Sequence, residues 1–423
     1  MHGFAVNGSP AALLPAQSGE RIGALDFIRG VAVMGIVLAN IAAFGQPFSA
    51  AFDPRAFLVS EGQWDRWGWL IQLVLIDGKL RGLFTLLFGA GLVLFTDRAW
   101  AKGSSLGLQV RRLFWLFCFG AAHFILLWQG DILMSYAVAG LAVLPFLRWS
   151  GQRLLAAGIV GYVVGALALT ALYGFTAMVA RDNMAGHPVF GESHTQLVAA
   201  EQATTAQDRT QAAVIVRGDY EGFVRQNATH LPDQLGFTLL LNLVETVPLL
   251  LLGMGLYRLG FFTGQFDRRR VLQWSVAGLA AGGAVTALLG WQELRTGFSY
   301  FGAIWVIMGS TMLPRLPMIL GLAGLLMLAS GRARGWLGER VRAAGRMAFS
   351  NYLGTSFIML WVFHGFGFGL FGELGRMELY GVALLMALAM LLWSEPWLRC
   401  FRYGPLEWAW RCLTYGQRFS MRR

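Results

Sequence analysis

The chain has 423 residues, of which 56% are hydrophobic and 13% charged, with a mean hydropathy of +0.54; an average soluble domain is about 25% charged. That composition excludes a soluble enzyme with a membrane anchor and points to an all-α, polytopic membrane protein. The net charge of +11 argues for no nucleic-acid partner, because the basic residues come in short runs between apolar segments rather than on one soluble face. Cys118, Cys400 and Cys412 are too scattered for a disulfide framework or a metal site, so free thiols are expected.

Residues 1–20 lack the basic start and apolar core of a signal peptide and read as a disordered N-terminal tail, leaving the first span as its own anchor. A crossing needs about 20 apolar residues, and such runs recur often enough for about ten transmembrane helices. Spans are expected over residues 25–45, 68–96, 112–130, 132–149 and 153–178 in a first half, 21–178. They are expected over 236–257, 271–290, 300–330, 346–367 and 377–398 in a second, 236–398. The second span carries Asp77, Lys79 and Arg81, which predicts an interfacial helix over 67–77 leading into a shorter span from residue 80. Pro314, Arg315 and Pro317 should break or kink the eighth, as one broken helix or two.

Between the halves, residues 179–235 are polar, contain no Lys and have more acidic residues than Arg. They read as an extracytoplasmic loop with short helices on the membrane. Arginines gather instead in the alternate loops and in the tail over 399–423. The positive-inside rule then puts both termini in the cytoplasm and the chain in a bacterial inner membrane, with the bilayer as its first partner and homo-oligomers allowed.

An ionisable group inside a span is costly and marks a candidate site facing a polar cavity. His123 lies twelve residues past Arg111 and eight before Asp131, so it sits roughly 18 Å above the inner end of its helix. Histidine suits proton removal near neutral pH, and Asp131 would orient it if the chain folds back. Equally, His123 would bond a neighbouring helix and Asp131 would cap the next one. Glu245 lies near the middle of its span, where a lone glutamate would cost several kcal/mol; it is either a catalytic group or half of a pair with an arginine. Lys79 and His364 stand near the outer ends of their spans as candidate substrate-binding groups, and Arg81 reads as an anchor snorkelling to the interface. Asp26 and Arg29 share one helical face, as a brace or as ligand contacts. No two histidines have ligand spacing, so no metal is expected.

Three stretches resemble the YeiB-like family, domain of unknown function 418, whose members are often labelled transport proteins. They are RIGALDFIRGVAVMGIVLANI, LFTLLFGAGLVLF with GAAHFILLWQGDILMSYAVAGL, and GRMAFSNYLGTSFI with FRYGPLEWAWRCLTYG. The opening Leu25-Asp26-x-x-Arg29-Gly30, ten residues before Asn40, is also similar to the first span of membrane acyltransferases of the acyltransferase-3 type and of heparan-α-glucosaminide N-acetyltransferase. The first group has a histidine at the position of Asn40. The second has an asparagine there and its histidine a little further on, where this chain has Ala51. The departure passes the role of base to His123.

The resemblance implies a membrane acyltransferase with acyl-CoA as co-substrate. Asp26, Arg29, Arg111 and Arg112 would serve the cytoplasmic donor, His123 would be the general base with Asp131 and Glu245 near it, and Asn40 would stabilise the oxyanion. A cell-envelope sugar or lipid-linked group would accept the acyl chain. The alternative is a small-solute or proton-coupled transporter with Glu245, His123 and Lys79 along a polar path.

Overall fold

The computed structural model describes residues 23–59 and 62–423; the tail expected over 1–20 lies outside them. The described residues form helices without a strand, apart from an isolated bridge between Phe401 and Arg422. Among the described residues, six helices are long and apolar enough to cross a membrane: Gly23–Gly45, Trp64–Ala101 taken as one run, Gly151–Val179, Arg268–Thr296, Met312–Ser330 and Arg376–Cys400.

Helix α1 (Gly23–Gly45) is central. It carries Gly30 where any Cβ would strike the Val341 carbonyl, and a Cβ on Gly345 would strike that of Asp26. These glycines bring α1 backbone to backbone with the helix that ends at Arg346. The second span divides as its charges predict, into α2 (Gln63–Leu75) and α3 (Lys79–Ala101), with the turn at Gly78. Next, α4 (Gly107–Leu126) carries Arg111 and Arg112 in its second turn, which shortens its apolar part.

The span expected over 132–149 is instead α5 (Leu133–Ala142), ten residues long, or about 15 Å. Two features shorten it. Residues 127–132 turn without helix, and Pro145 sits in a 3₁₀ turn, Leu144–Phe146, that closes the other end. Then α6 (Gly151–Val179) packs along α9 (Leu239–Arg258).

The loop expected over 179–235 holds two substantial helices rather than short ones, α7 (Gly191–Val216) and α8 (Tyr220–Asp233). They lie over one end of the bundle. Ser49 donates to Asp208 of α7, while Tyr220 and Asn227 of α8 donate to the carbonyls of Leu126 (3.0 Å) and Ile125 (3.2 Å) at the end of α4.

After α10 (Arg268–Thr296), the eighth expected span is broken into α11 (Tyr300–Trp305), a π turn over Val306–Ser310, and α12 (Met312–Ser330). The break falls before the prolines. Pro314 lies in the first turn of α12, where no intrahelical N–H is required, and Arg315 reaches back to donate to the Ile307 carbonyl (2.5 Å) and Thr311 Oγ1 (3.1 Å).

The chain ends with α13 (Trp336–Arg346), α14 (Ala348–Phe363), α15 (Arg376–Cys400) and α16 (Pro405–Tyr415). The expected tail is therefore folded. Glu407 of α16 caps α14, accepting from the Phe349 and Ser350 amides (2.8 and 3.1 Å) and from Ser350 Oγ (2.5 Å). Trp410 donates to the Arg112 carbonyl at 2.9 Å. Arginines of α1, α4, α13 and α16 thus meet at one end of the bundle, hereafter the basic end, opposite the α7–α8 cover.

Candidate active site

Near its end α4 turns His123 inward, and the irregular segment that follows brings the chain back. His123 Nδ1 and Asp131 Oδ1 are 2.8 Å apart, and Asp131 Oδ2 accepts the Met134 amide at 2.8 Å. Both expectations for Asp131 are met at once, since it orients the imidazole and caps α5. The approach depends on Gly120, one turn before His123. A Cβ there would come within 2.7 Å of the Met134 nitrogen and 2.8 Å of Asp131 Oδ2.

The other imidazole nitrogen, Nε2, lies 2.8 Å from Oγ of Ser356 on α14. Asp131, His123 and Ser356 are exposed by 3%, 1% and 1%. The order carboxylate, imidazole, hydroxyl is that of a nucleophile whose base is held by a third group. Tyr352, one turn earlier on α14, places its ring 5.2 Å from that of His123.

Three spaces lead from the basic end to this chain. The first, of about 300 Å³, is a mouth lined by Asp26, Arg29, Arg112, Arg346, Arg402 and Arg411. The second, of about 170 Å³, shares Arg29, Arg112 and Arg346 with it and continues between Phe84, Phe88, Leu116 and Phe349 to Tyr352. Beyond Tyr352, a pocket of about 10 Å³ is bounded by Asn40, Thr355 and Ser356, and shares Val33 and Ile36 with the second space. A charged mouth, an apolar passage and a small, mostly apolar pocket with Asn40, Thr355 and Ser356 in its wall thus follow in that order.

Of the residues singled out by sequence, His123 and Asp131 pair with each other, and Asn40 lines the terminal pocket together with Ser356, the hydroxyl that His123 contacts. Arg29, Arg112 and Asp26 meet at the mouth, where Arg29 pairs with Asp26 at 3.3 Å. Arg112 is held between Phe95 and Trp410, 4.6 Å from each ring centre, while Arg111 is exposed and outside the lining. Glu245 stands apart from His123 in an ion network. Arg81 contacts one of its oxygens and Arg315 Nη1 the other at 3.2 Å. Arg81 is therefore a partner of Glu245 rather than a snorkelling anchor. Lys79 is 2% exposed and donates to the Leu73 carbonyl at the α2–α3 junction. His364 packs edge-on to Phe223 at 4.7 Å, lining a chamber of about 30 Å³ under the cover with Gln129, Gln211 and Trp128.

Sequence reasoning missed Ser356, Tyr352 and Glu407. A serine in an apolar helix costs too little to draw attention, and Ser356 is 233 positions from His123. The Gly-Pro-Leu-Glu stretch before α16 did hold a readable signal, a glutamate in the first turn of a helix.

The family described as protein of unknown function (DUF418) matches residues 256–417. Over nearly its whole length the chain is similar to two bacterial proteins. With "Uncharacterized protein YeiB" of Escherichia coli (strain K12) it shares 30% identity over 409 residues, 93% of this chain and 96% of the relative. With "Uncharacterized protein YxaH" of Bacillus subtilis (strain 168) it shares 29% over 423 residues, 96% of this chain and 97% of the relative. A protein of Bacillus acidopullulyticus, "Uncharacterized 39.9 kDa protein in amylase 3'region", is 24% identical over 412 residues, 96% of this chain and 97% of the relative. No solved structure matches.

Proposed function

This chain belongs to the YeiB-like DUF418 family, and from that premise we propose that it is an acyltransferase of the bacterial inner membrane, moving an acyl group from cytoplasmic acyl-CoA to a cell-envelope sugar or lipid-linked acceptor. The observation that carries the proposal is that Ser356, bonded to a histidine oriented by Asp131, lines the pocket beyond a passage whose mouth is arginine-rich and whose walls are apolar.

In this reading the basic end faces the cytoplasm, as the positive-inside rule favours. The six long helices, with α4, α9, α14 and the run from α5 through its 3₁₀ turn to Trp149, make ten passes, and both termini lie at the basic end. Arg29, Arg112 and Arg346 hold the donor's phosphates, and the thin arm of the donor follows the apolar passage to Tyr352. Asp131 fixes a proton on Nδ1 of His123, which leaves Nε2 as the base. The Asn40 amide, on the wall of the terminal pocket, donates to the oxyanion that forms on the thioester carbonyl. The acceptor arrives from the opposite side, beneath α7 and α8.

The reading is tested by calorimetry of acetyl-CoA with the purified protein in nanodiscs. Saturable binding is expected, weakened roughly tenfold or more by Arg112→Ala or Arg29→Ala, as for loss of one charged hydrogen bond, and retained by His123→Ala. Absence of saturable binding at millimolar acetyl-CoA would sink it.

A further inference from the structure

We infer that Ser356 is the covalent carrier of the acyl group, so that transfer proceeds in two displacements; this rests on the acyl-transfer reading of the same site. Three independent observations lead to it. Asp131 occupies Nδ1 of His123 and has its second oxygen filled by the Met134 amide, so the imidazole presents its Nε2 lone pair to Ser356 and the hydroxyl donates. Ser356 also departs from the habit of the threonines in this bundle, as Ser350 does in crossing to Glu407. Thr85, Thr96, Thr170 and its own neighbour Thr355 each donate to the carbonyl four residues back, the usual resting place for a hydroxyl in an apolar helix. The Ser356 Oγ is turned across to another helix instead.

The third observation is spatial. Ser356 lies on the terminal pocket beside Asn40, seven residues beyond Phe349 of the passage wall, or about 10 Å along α14. That pocket holds about 10 Å³, room for about one water, so it must widen to take an acyl group and would have to widen further to take a thioester and an acceptor together. A one-step transfer would also require the acceptor to displace Ser356 from Nε2. Sequential use of the pocket asks for the smaller opening and keeps Ser356 on Nε2 until the donor arrives.

In the first displacement Ser356 Oγ bonds to the thioester carbonyl carbon and gives its proton to His123 Nε2. The C–S bond then breaks, and the proton passes from Nε2 to sulfur, so that CoA leaves as the free thiol toward the basic end. In the second, the acceptor hydroxyl gives its proton to Nε2 while its oxygen bonds to the ester carbonyl carbon. The bond to Oγ breaks and Oγ regains the proton. No oxidant, reductant or metal is needed.

The test is denaturing quench of the nanodisc protein after exposure to radiolabelled acetyl-CoA without acceptor, followed by peptide mass spectrometry. Expected is acetyl on the Ser356 peptide as an ester resistant to neutral hydroxylamine, and in the Ser356→Cys variant a thioester released by it. Ser356→Ala should take no label and bind acetyl-CoA as tightly as wild type. Release of CoA by Ser356→Ala at the wild-type rate, or label confined to another residue, overturns the inference and leaves acyl transfer standing. A wild-type protein that neither binds acetyl-CoA nor releases CoA from it removes both.

Discussion

The clusters around His123 and around Glu245 both bury polar groups between apolar helices, yet their outlying atoms are satisfied in different ways. Around Glu245 the cations finish on backbone. Arg315 closes the carbonyl freed by the π turn at Ile307, and Lys79 closes that of Leu73 where α2 gives way to α3. Breaks in apolar helices leave carbonyls that require donors, so Arg315 and Lys79 stitch the breaks, while Glu245 neutralises Arg315 and Arg81. The chain through His123 runs from the cap of α5 to a hydroxyl on the wall of a pocket. A buried charge becomes a candidate for chemistry when its line of hydrogen bonds ends at a space rather than at a peptide group.

The largest effect expected from this contrast is in turnover. His123→Ala should lower CoA release from acetyl-CoA by about 10²–10⁴-fold, the usual yield of a general base, while leaving donor affinity intact. Glu245→Ala should act on stability. Two arginines would lose their counter-charge, at a cost of about 3–5 kcal/mol in thermal or denaturant unfolding in detergent, with donor affinity kept in the folded fraction. A stable Glu245→Ala protein that has lost transfer would erase the distinction and favour the transport reading.

Gly120→Ala probes the approach of α4 to the Asp131 turn. Alanine exceeds glycine in helix propensity by about 1 kcal/mol, so a net loss of about 1–3 kcal/mol, as for overpacking, accompanied by slower transfer, would locate the cost at the Met134 and Asp131 contacts. The smallest effect concerns the mouth. Burial pushes the Glu407 carboxyl above its ordinary range, against the lowering effect of its hydrogen bonds from Ser350 and the Phe349 amide. Folded chain then holds that proton more tightly than unfolded chain. Its contribution to stability is complete below the ordinary carboxylate range and is lost as pH rises through the raised value. Over that interval the thermal midpoint of wild type should fall, and that of Glu407→Gln should fall less.

Apolar runs made most of the helices legible in advance, and the depth and spacing of His123 and Asp131 made half of the candidate site legible. The run Leu141–Phe146 stayed apolar through Pro145, so composition carried α5 further than its backbone goes. In 191–233 the surfaces are polar, so short helices were expected there and the lengths of α7 and α8 were hidden. Ser356 was hidden for the opposite reason, since a hydroxyl can always satisfy itself on its own helix and only the fold reveals that this one does not.

The fastening of α8 onto α4 also has a mechanical consequence. The carbonyls of Ile125 and Leu126 are the last polar atoms of the turn that carries His123, and Asn227 and Tyr220 are their donors. Peeling α8 away would break both bonds, one at an exposed position and one half-buried, so the cover holds the end of α4 as a latch would. An ester on Ser356 would wait beneath that latch, shielded from stray hydrolysis, until an incoming acceptor supplied hydrogen bonds to replace those of Asn227 and Tyr220. Loading and discharge would then be separated in time as well as by the thickness of the membrane.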